Sequence, residues 1–337
     1  MARASAFAVL AGLTGGVLPA GAGPQSALDP AGPQAASLAW LIWLFFAVCG
    51  VVWLLVMLMT VLAVRRRGTD ATPAELPGPE RDRRMTRVVV AAVGATVLVI
   101  TGLTLASFLA TRRLHAAAED ALVVRLRGYQ WWWEVTYPDP DPQRIVTTAN
   151  EIRVPVGRPV RIELSAADVI HSFWVPALAG KQDLIPGRDN AITVTAERPG
   201  LYRGQCAEFC GIQHARMALT VVALPPAEFD AWRVAQRADA PAPRDAEEAL
   251  GLAVATGKAC AACHTIRGTS AAGTLGPDLT HVASRGAIAA GTLPTTRGSL
   301  AAWIADPQTV KPGNRMPMVP LSADELRAVS AYLAALQ

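Results

Sequence analysis

Two long runs without a charged residue constrain this chain more than anything else in it. Leu38–Val64 contains 27 consecutive residues free of Asp, Glu, Lys and Arg, and Val88–Thr111 contains 24. Each exceeds the ~20 apolar residues that carry a helix across a bilayer. Trp40 and Trp43 near the start of the first run suit an interfacial aromatic belt. Between the runs lie Arg65, Arg66, Arg67, Arg81, Arg83, Arg84 and Arg87, whereas only Arg112 and Arg113 follow the second. Positive charge is retained inside, so 65–87 is expected as a cytoplasmic loop between membrane helices at 38–64 and 88–111. Both mature termini, and everything from about 114, then lie outside a bacterial-type cell membrane. Residues 1–23 read as an export signal: Arg3, an apolar stretch from Ala6 to Val17, and the small-residue exit Ala20-Gly21-Ala22.

The formal charge of +4 does not sit on the external part. Residues 114–230 hold 11 basic and 14 acidic side chains, and 245–337 hold 7 of each. That balance excludes a nucleic-acid partner and leaves membrane lipid as the partner of the basic loop. Within 114–225 the pattern is β. Val160, Ile162 and Leu164 alternate with Arg161 and Glu163, Ile192 and Val194 with Thr193 and Thr195, and Met217, Leu219 and Val221 repeat the period. A small all-β sandwich or barrel is expected. Residues 226–244, with Pro241-Ala242-Pro243, read as a linker. Residues 245–337 read as an all-α domain, with a Ser322/Glu325 capping box and one apolar face at Leu326, Val329, Leu333 and Leu336.

Cys260-Ala261-Ala262-Cys263-His264 is Cys-x-x-Cys-His. Two thiols so spaced can bond the vinyl groups of a c-type haem, and the histidine then reaches the iron. A zinc half-site would want two more ligands nearby, and only His281 is available. Met316 and Met318, in the Pro- and Gly-broken stretch Lys311–Met318, are the candidates for the opposite axial ligand of an electron carrier. His281 is expected in a surface loop, and His115 at the membrane interface.

The second constellation is Cys206-Ala207-Glu208-Phe209-Cys210-Gly211-Ile212-Gln213-His214-Ala215-Arg216-Met217, with His171 35 residues before its first cysteine. Thiolates, imidazoles and a thioether select copper over hard cations. A Cys206–Cys210 disulfide would leave His171, His214 and Met217 without a use.

On these motifs the stretch from Leu38 to about Ala223 resembles subunit II of haem–copper respiratory oxidases, and 246–337 resembles a small cytochrome c, with Gly276-Pro277-Asp278-Leu279 as its loop beside the proximal histidine. Together they resemble the cytochrome-c-fused form of subunit II, a multidomain membrane protein with two transmembrane helices, a cupredoxin barrel and a cytochrome c domain. The resemblance implies a binuclear copper centre, CuA, with Cys206 and Cys210 bridging both metals. His171 and His214 would bind one copper each, and Met217 and the Glu208 carbonyl would complete the two shells. It implies a magnesium ion shared with subunit I through the Glu208 carboxylate. It implies Cys260, Cys263 and His264 as haem attachments, and its methionine-then-proline pattern favours Met316 over Met318. A tryptophan exposed beside CuA, the electron entrance of the family, maps to Trp131 in Gln130-Trp131-Trp132-Trp133. On a strand, Trp131 and Trp133 would share a face opposite Trp132.

The implied function is cytochrome c oxidase activity within a complex. Electrons pass from the chain's own haem to CuA and on to haem in subunit I, where oxygen is reduced to water. The implied partners are subunits I and III and a soluble or membrane donor, such as a cytochrome c or a quinol-oxidising complex. Many family members place a proton-feeding glutamate at the second membrane helix; residues 85–111 here contain no Glu, Trp or Pro. A nitrous oxide reductase type of CuA domain would lack the membrane pair, and a copper-delivery protein would have no use for a haem.

Overall fold

The computed structural model describes residues 25–66, 79–114 and 120–337. The export signal, Arg67 and His115 lie outside the described residues. Among the described residues two helices come first, α1 (Pro33–Arg66) and α2 (Pro79–Leu114), with mean hydropathies of 2.8 and 2.4 over their most apolar windows. Both are longer than the uncharged runs, because the flanking residues extend the helices beyond the apolar stretch: α1 starts five residues before Leu38, and α2 takes in Glu80 to Arg87. Their apolar side chains project outward rather than into a core, as bilayer-facing residues do.

Ten strands follow: β1 (Leu122–Tyr129), β2 (Trp132–Tyr137), β3 (Val146–Ala149), β4 (Glu151–Pro155), β5 (Val160–Ala166), β6 (His171–Trp174), β7 (Gln182–Leu184), β8 (Asn190–Val194), β9 (Gly200–Cys206) and β10 (Ala218–Leu224). They form two five-stranded sheets, ordered β3-β2-β1-β5-β8 and β4-β10-β9-β6-β7. Pairing is antiparallel except for β1 with β5 and β4 with β10. The alternation in the sequence decides which face turns inward. Val160, Ile162 and Leu164 are buried and Arg161 is exposed, and Leu219 and Val221 are buried on β10. Ile192, on the edge strand β8, is only half-buried. Trp133, Tyr137, Phe173 and Leu126 fill the space between the sheets.

The first half of the expected linker is not one. Residues Pro226–Ala235 form helix α3, whose Phe229 and Trp232 are buried in the β core. Their rings stand 6.4 and 5.1 Å from that of Tyr137. Pro226 opens the helix where its missing N–H costs nothing, and an i, i+3 aromatic pair gives it one sticky face. The remainder is also held, since Ala240 N donates to Arg267 O at 3.0 Å and Arg267 to the carbonyls of Gln236 and Ala238.

Helices α4 (Ala246–Gly257), α5 (Cys260–Cys263), α6 (Arg297–Ala305), α7 (Pro307–Val310) and α8 (Ala323–Ala335) build the last domain, with a two-residue strand pair between α5 and α6. The Ser322/Glu325 capping box forms in full, and Val329, Leu333 and Leu336 are buried. His281 is not in a surface loop. It is buried, with Nδ1 2.6 Å from Gln337 O and Nε2 3.0 Å from Ala238 O, so it ties the chain terminus to the inter-domain segment.

Candidate metal centres

The first site is assembled at one end of the sandwich. His171 opens β6, Cys206 closes β9, and the loop between β9 and β10 brings Cys210, His214 and Met217 back over them. The loop is held by its own backbone: Cys206 N donates to Met217 O (2.9 Å), His214 N to Gly211 O (3.0 Å) and Ala207 N to Ser172 O (3.0 Å). Gly211 has φ of +114°, and a Cβ there would stand 2.9 Å from the Trp131 ring, so both backbone and space call for glycine.

The two sulfurs lie 3.8 Å apart, far beyond a disulfide bond length of about 2.05 Å. His171 Nδ1 is 3.9 Å from Cys206 Sγ, and His214 Nδ1 is 3.6 Å from Cys210 Sγ. Met217 Sδ is 3.8 Å from Cys210 Sγ, and Glu208 O is 3.2 Å from Cys206 Sγ. Each sulfur therefore has its own imidazole, and the thioether lies by Cys210 and the carbonyl by Cys206. His171, Cys206, Cys210 and Met217 are all buried. The Cys210 thiol beside it, and then His171, hold the Cys206 thiol well below its ordinary range. Burial alone would lower the His171 pKa, but the bonds to Cys206 and Asp168 outweigh it and the pKa rises. The donor set, two soft sulfurs shared between two imidazoles, fits a pair of copper ions. Asp168, which sequence reasoning missed, accepts at 2.9 Å from His171 Nε2 and so turns Nδ1 towards the sulfurs. The Glu208 carboxylate points away from them, 3.9 Å from Lys181 Nζ.

The second site is a cavity of ≈ 430 Å³ lined by Cys260, Cys263, His264, Leu279, Ile304 and Met316, among other apolar residues. His264 Nδ1 is 2.7 Å from Pro277 O, which leaves Nε2 for the cavity. Gly276 allows this: a Cβ would stand 2.6 Å from the imidazole. Met316 lines the cavity, whereas Met318 is 60% exposed. Two thiols, a histidine with one free nitrogen and a thioether around an apolar cleft fit a covalently held haem.

Trp131 sits between the two sites. It occupies the turn after β1 rather than the strand, and it is buried beneath the helical domain instead of exposed. Its indole N–H donates to Cys210 O at 2.8 Å, while its other side lines the cavity. Trp131 and Trp133 are buried and Trp132 is half-buried, stacked on Tyr129 at 4.6 Å.

The family described as "Cytochrome C oxidase subunit II, periplasmic domain" matches residues 140–224, and "Cytochrome c" matches 249–337. Cytochrome c oxidase subunit 2 of Alkalihalophilus pseudofirmus is 35% identical over 318 residues, which span 93% of this chain and 91% of that protein. The chain belongs to the cytochrome c oxidase subunit II family. The Bacillus subtilis subunit 2 is 32% identical over 236 residues, 65% of this chain and 64% of its own. The solved periplasmic domain of cytochrome oxidase subunit II from Bradyrhizobium japonicum is 32% identical, covering 36% of this chain and 96% of its own length, with a TM-score of 0.34. Membership makes the sandwich the family's cupredoxin-like domain, carried outside the membrane, and the helical unit a cytochrome c domain. It also makes the chain a subunit of a haem–copper terminal oxidase, with copper and haem c as its cofactors and subunit I as its partner.

Proposed function

We propose that the chain conducts single electrons from its own haem pocket, through its copper site, to the haem of subunit I. The observation that carries this is the position of Trp131, bonded to the copper loop at Cys210 O and lining the haem cavity. When bound, haem c and binuclear CuA each supply a one-electron couple at nearly fixed geometry. Cys206, Cys210, His171, His214, Met217 and the Glu208 carbonyl would hold the copper pair. Cys260 and Cys263 would hold the haem covalently, and His264 and Met316 would ligate its iron. Asp168 orients His171, and burial of His171, Cys206, Cys210 and Met217 keeps water from that part of the copper site. The Glu208 carboxylate, at the exposed rim of the copper site, would add one oxygen to a magnesium site completed by subunit I. Subunit III, and a cytochrome c or a quinol-oxidising complex as donor, complete the proposed assembly. Both metal domains and both mature termini face the outer side.

The test is spectroscopic and uses the complex purified from membranes. We expect two coppers per subunit II sharing one unpaired electron, and one haem that survives acid–acetone extraction. Cys263→Ser should lose most of the covalent haem. A single-copper signal in a fully loaded sample would rule out the binuclear assignment, and full covalent haem in the variant would rule out the attachment.

A further inference from the structure

Of the three lysines in the chain, Lys181 and Lys258 stand beside carboxylates. Lys311 does not: it is 3% exposed, and its Nζ meets three backbone carbonyls. It donates to Arg216 O at 2.7 Å, Trp131 O at 3.0 Å and Ala289 O at 3.4 Å. Two of these oxygens belong to the cupredoxin domain. One precedes Met217, and the other is the carbonyl of the tryptophan between the two sites. Return bonds flank the lysine, since Arg216 donates to Val310 O (2.7 Å) and Gln213 to Pro312 O (3.0 Å). On the haem side, Asn314 Nδ2 donates to Lys311 O at 2.8 Å, and Met316 N donates to Asn314 Oδ1 at 2.8 Å. A short hydrogen-bonded chain thus runs from the copper loop through Lys311 to the cavity methionine.

Burying a cation with no carboxylate beside it among the described residues is expensive. Burial, aided by the Arg216 charge, pushes the Lys311 pKa down to about 8. An apolar side chain could fill the same space without that cost, so the charge must do something that packing cannot. An ammonium group can bind three carbonyls from different segments at once.

We propose that Lys311 is a positioning residue for electron transfer, a pin that fixes the Met316 loop to the Trp131 turn and the copper loop so that the two redox sites keep one separation. This rests on the haem-to-copper route above. Transfer between centres falls steeply with their separation, so a pinned domain transfers from every molecule at one rate. A domain free on its tether transfers only when a diffusive search brings it home.

The experiment follows haem-to-copper transfer optically in the intact purified complex after rapid photoreduction of the haem. In the wild type the rate should be the same in buffer and in viscous glycerol solution, and at low and high salt. A wild-type rate that falls in proportion to viscosity would overturn the proposal even if no variant could be made. Lys311→Met, with copper and haem contents equal to wild type, should slow this step about tenfold or more, the loss expected for charge-assisted hydrogen bonds. The remaining rate should become viscosity-dependent while transfer onward from copper stays unchanged. Lys311→Arg, which keeps the charge and the donors, should recover most of the loss; a role in packing alone would favour Met over Arg. An unchanged rate in fully loaded Lys311→Met would overturn the proposal and leave the route standing. Absence of any haem-to-copper transfer in the wild type would overturn the route and the proposal together.

Discussion

At the scale of single residues, Trp131 and Met316 make the sharpest claims. The Trp131 indole bonds the Cys210 carbonyl at 2.8 Å, so its removal takes away both the aromatic bridge and an anchor of the copper loop. Trp131→Gln, with metal contents verified, is expected to slow haem-to-copper transfer by about one to two orders of magnitude, with onward transfer normal. An unchanged rate would place the entrance elsewhere. Met316 lines the cavity and Met318 is exposed. Met316→Leu should therefore lower the haem potential, because a thioether axial ligand raises it, and Met318→Leu should leave it within error. The opposite pattern in a redox titration would reverse the assignment. What could be read from the sequence was local. Two cysteines, a histidine and a methionine crowded into twelve residues announce their chemistry through spacing alone. Asp168 and Lys311 gave no such sign, because their meaning depends on partners brought close by the fold. Lys311 meets Trp131 across 180 positions of sequence. The burial of Trp131 was hidden for the same reason, since its cover is a second domain.

At the scale of elements, helix α3 is the lesson. A ten-residue helix among prolines is easily taken for connecting chain, and Pro241-Ala242-Pro243 further on strengthens that reading. The signals were present: Pro226 at the first position, Glu228 in the first turn, and Phe229 and Trp232 three apart. They were too few to outweigh composition. The capping box and apolar face of α8 were legible because they span a full, uninterrupted helix. Since α3 closes one end of the β core, Trp232→Ala should destabilise the cupredoxin domain by about 3 kcal/mol. The measurement is the thermal or denaturant midpoint of copper loss in the purified complex. A midpoint equal to wild type would mean that α3 is only a spacer.

At the scale of the whole molecule, the expected topology rests on charge placement. The basic end of α1 carries Arg65 and Arg66, and the start of α2 carries Arg81, Arg83, Arg84 and Arg87. The start of α1, at the other end of that helix, meets the β domain through Ala35 N and Leu178 O. An impermeant thiol reagent on intact spheroplasts should therefore modify Leu201→Cys, on the exposed surface of β9, and spare Glu80→Cys until the cells are lysed. Labelling of both in intact cells would reject this topology.

The start of α1, with the residues just before it, does more than enter the bilayer. Ala31 N donates to Ala177 O (2.7 Å), Ala35 N to Leu178 O (3.1 Å), and Glu197 N to Ala31 O (2.8 Å). Ala177 and Leu178 follow β6, the strand that His171 opens. The start of α1 and the strand that His171 opens are thus parts of one strut. A helix advances 1.5 Å per residue, so any step of α1 up or down in the lipid lifts or lowers His171 by the same amount. Read through a helix anchored at its top, the thickness of the bilayer would then act as a plumb line for the height of His171 above it.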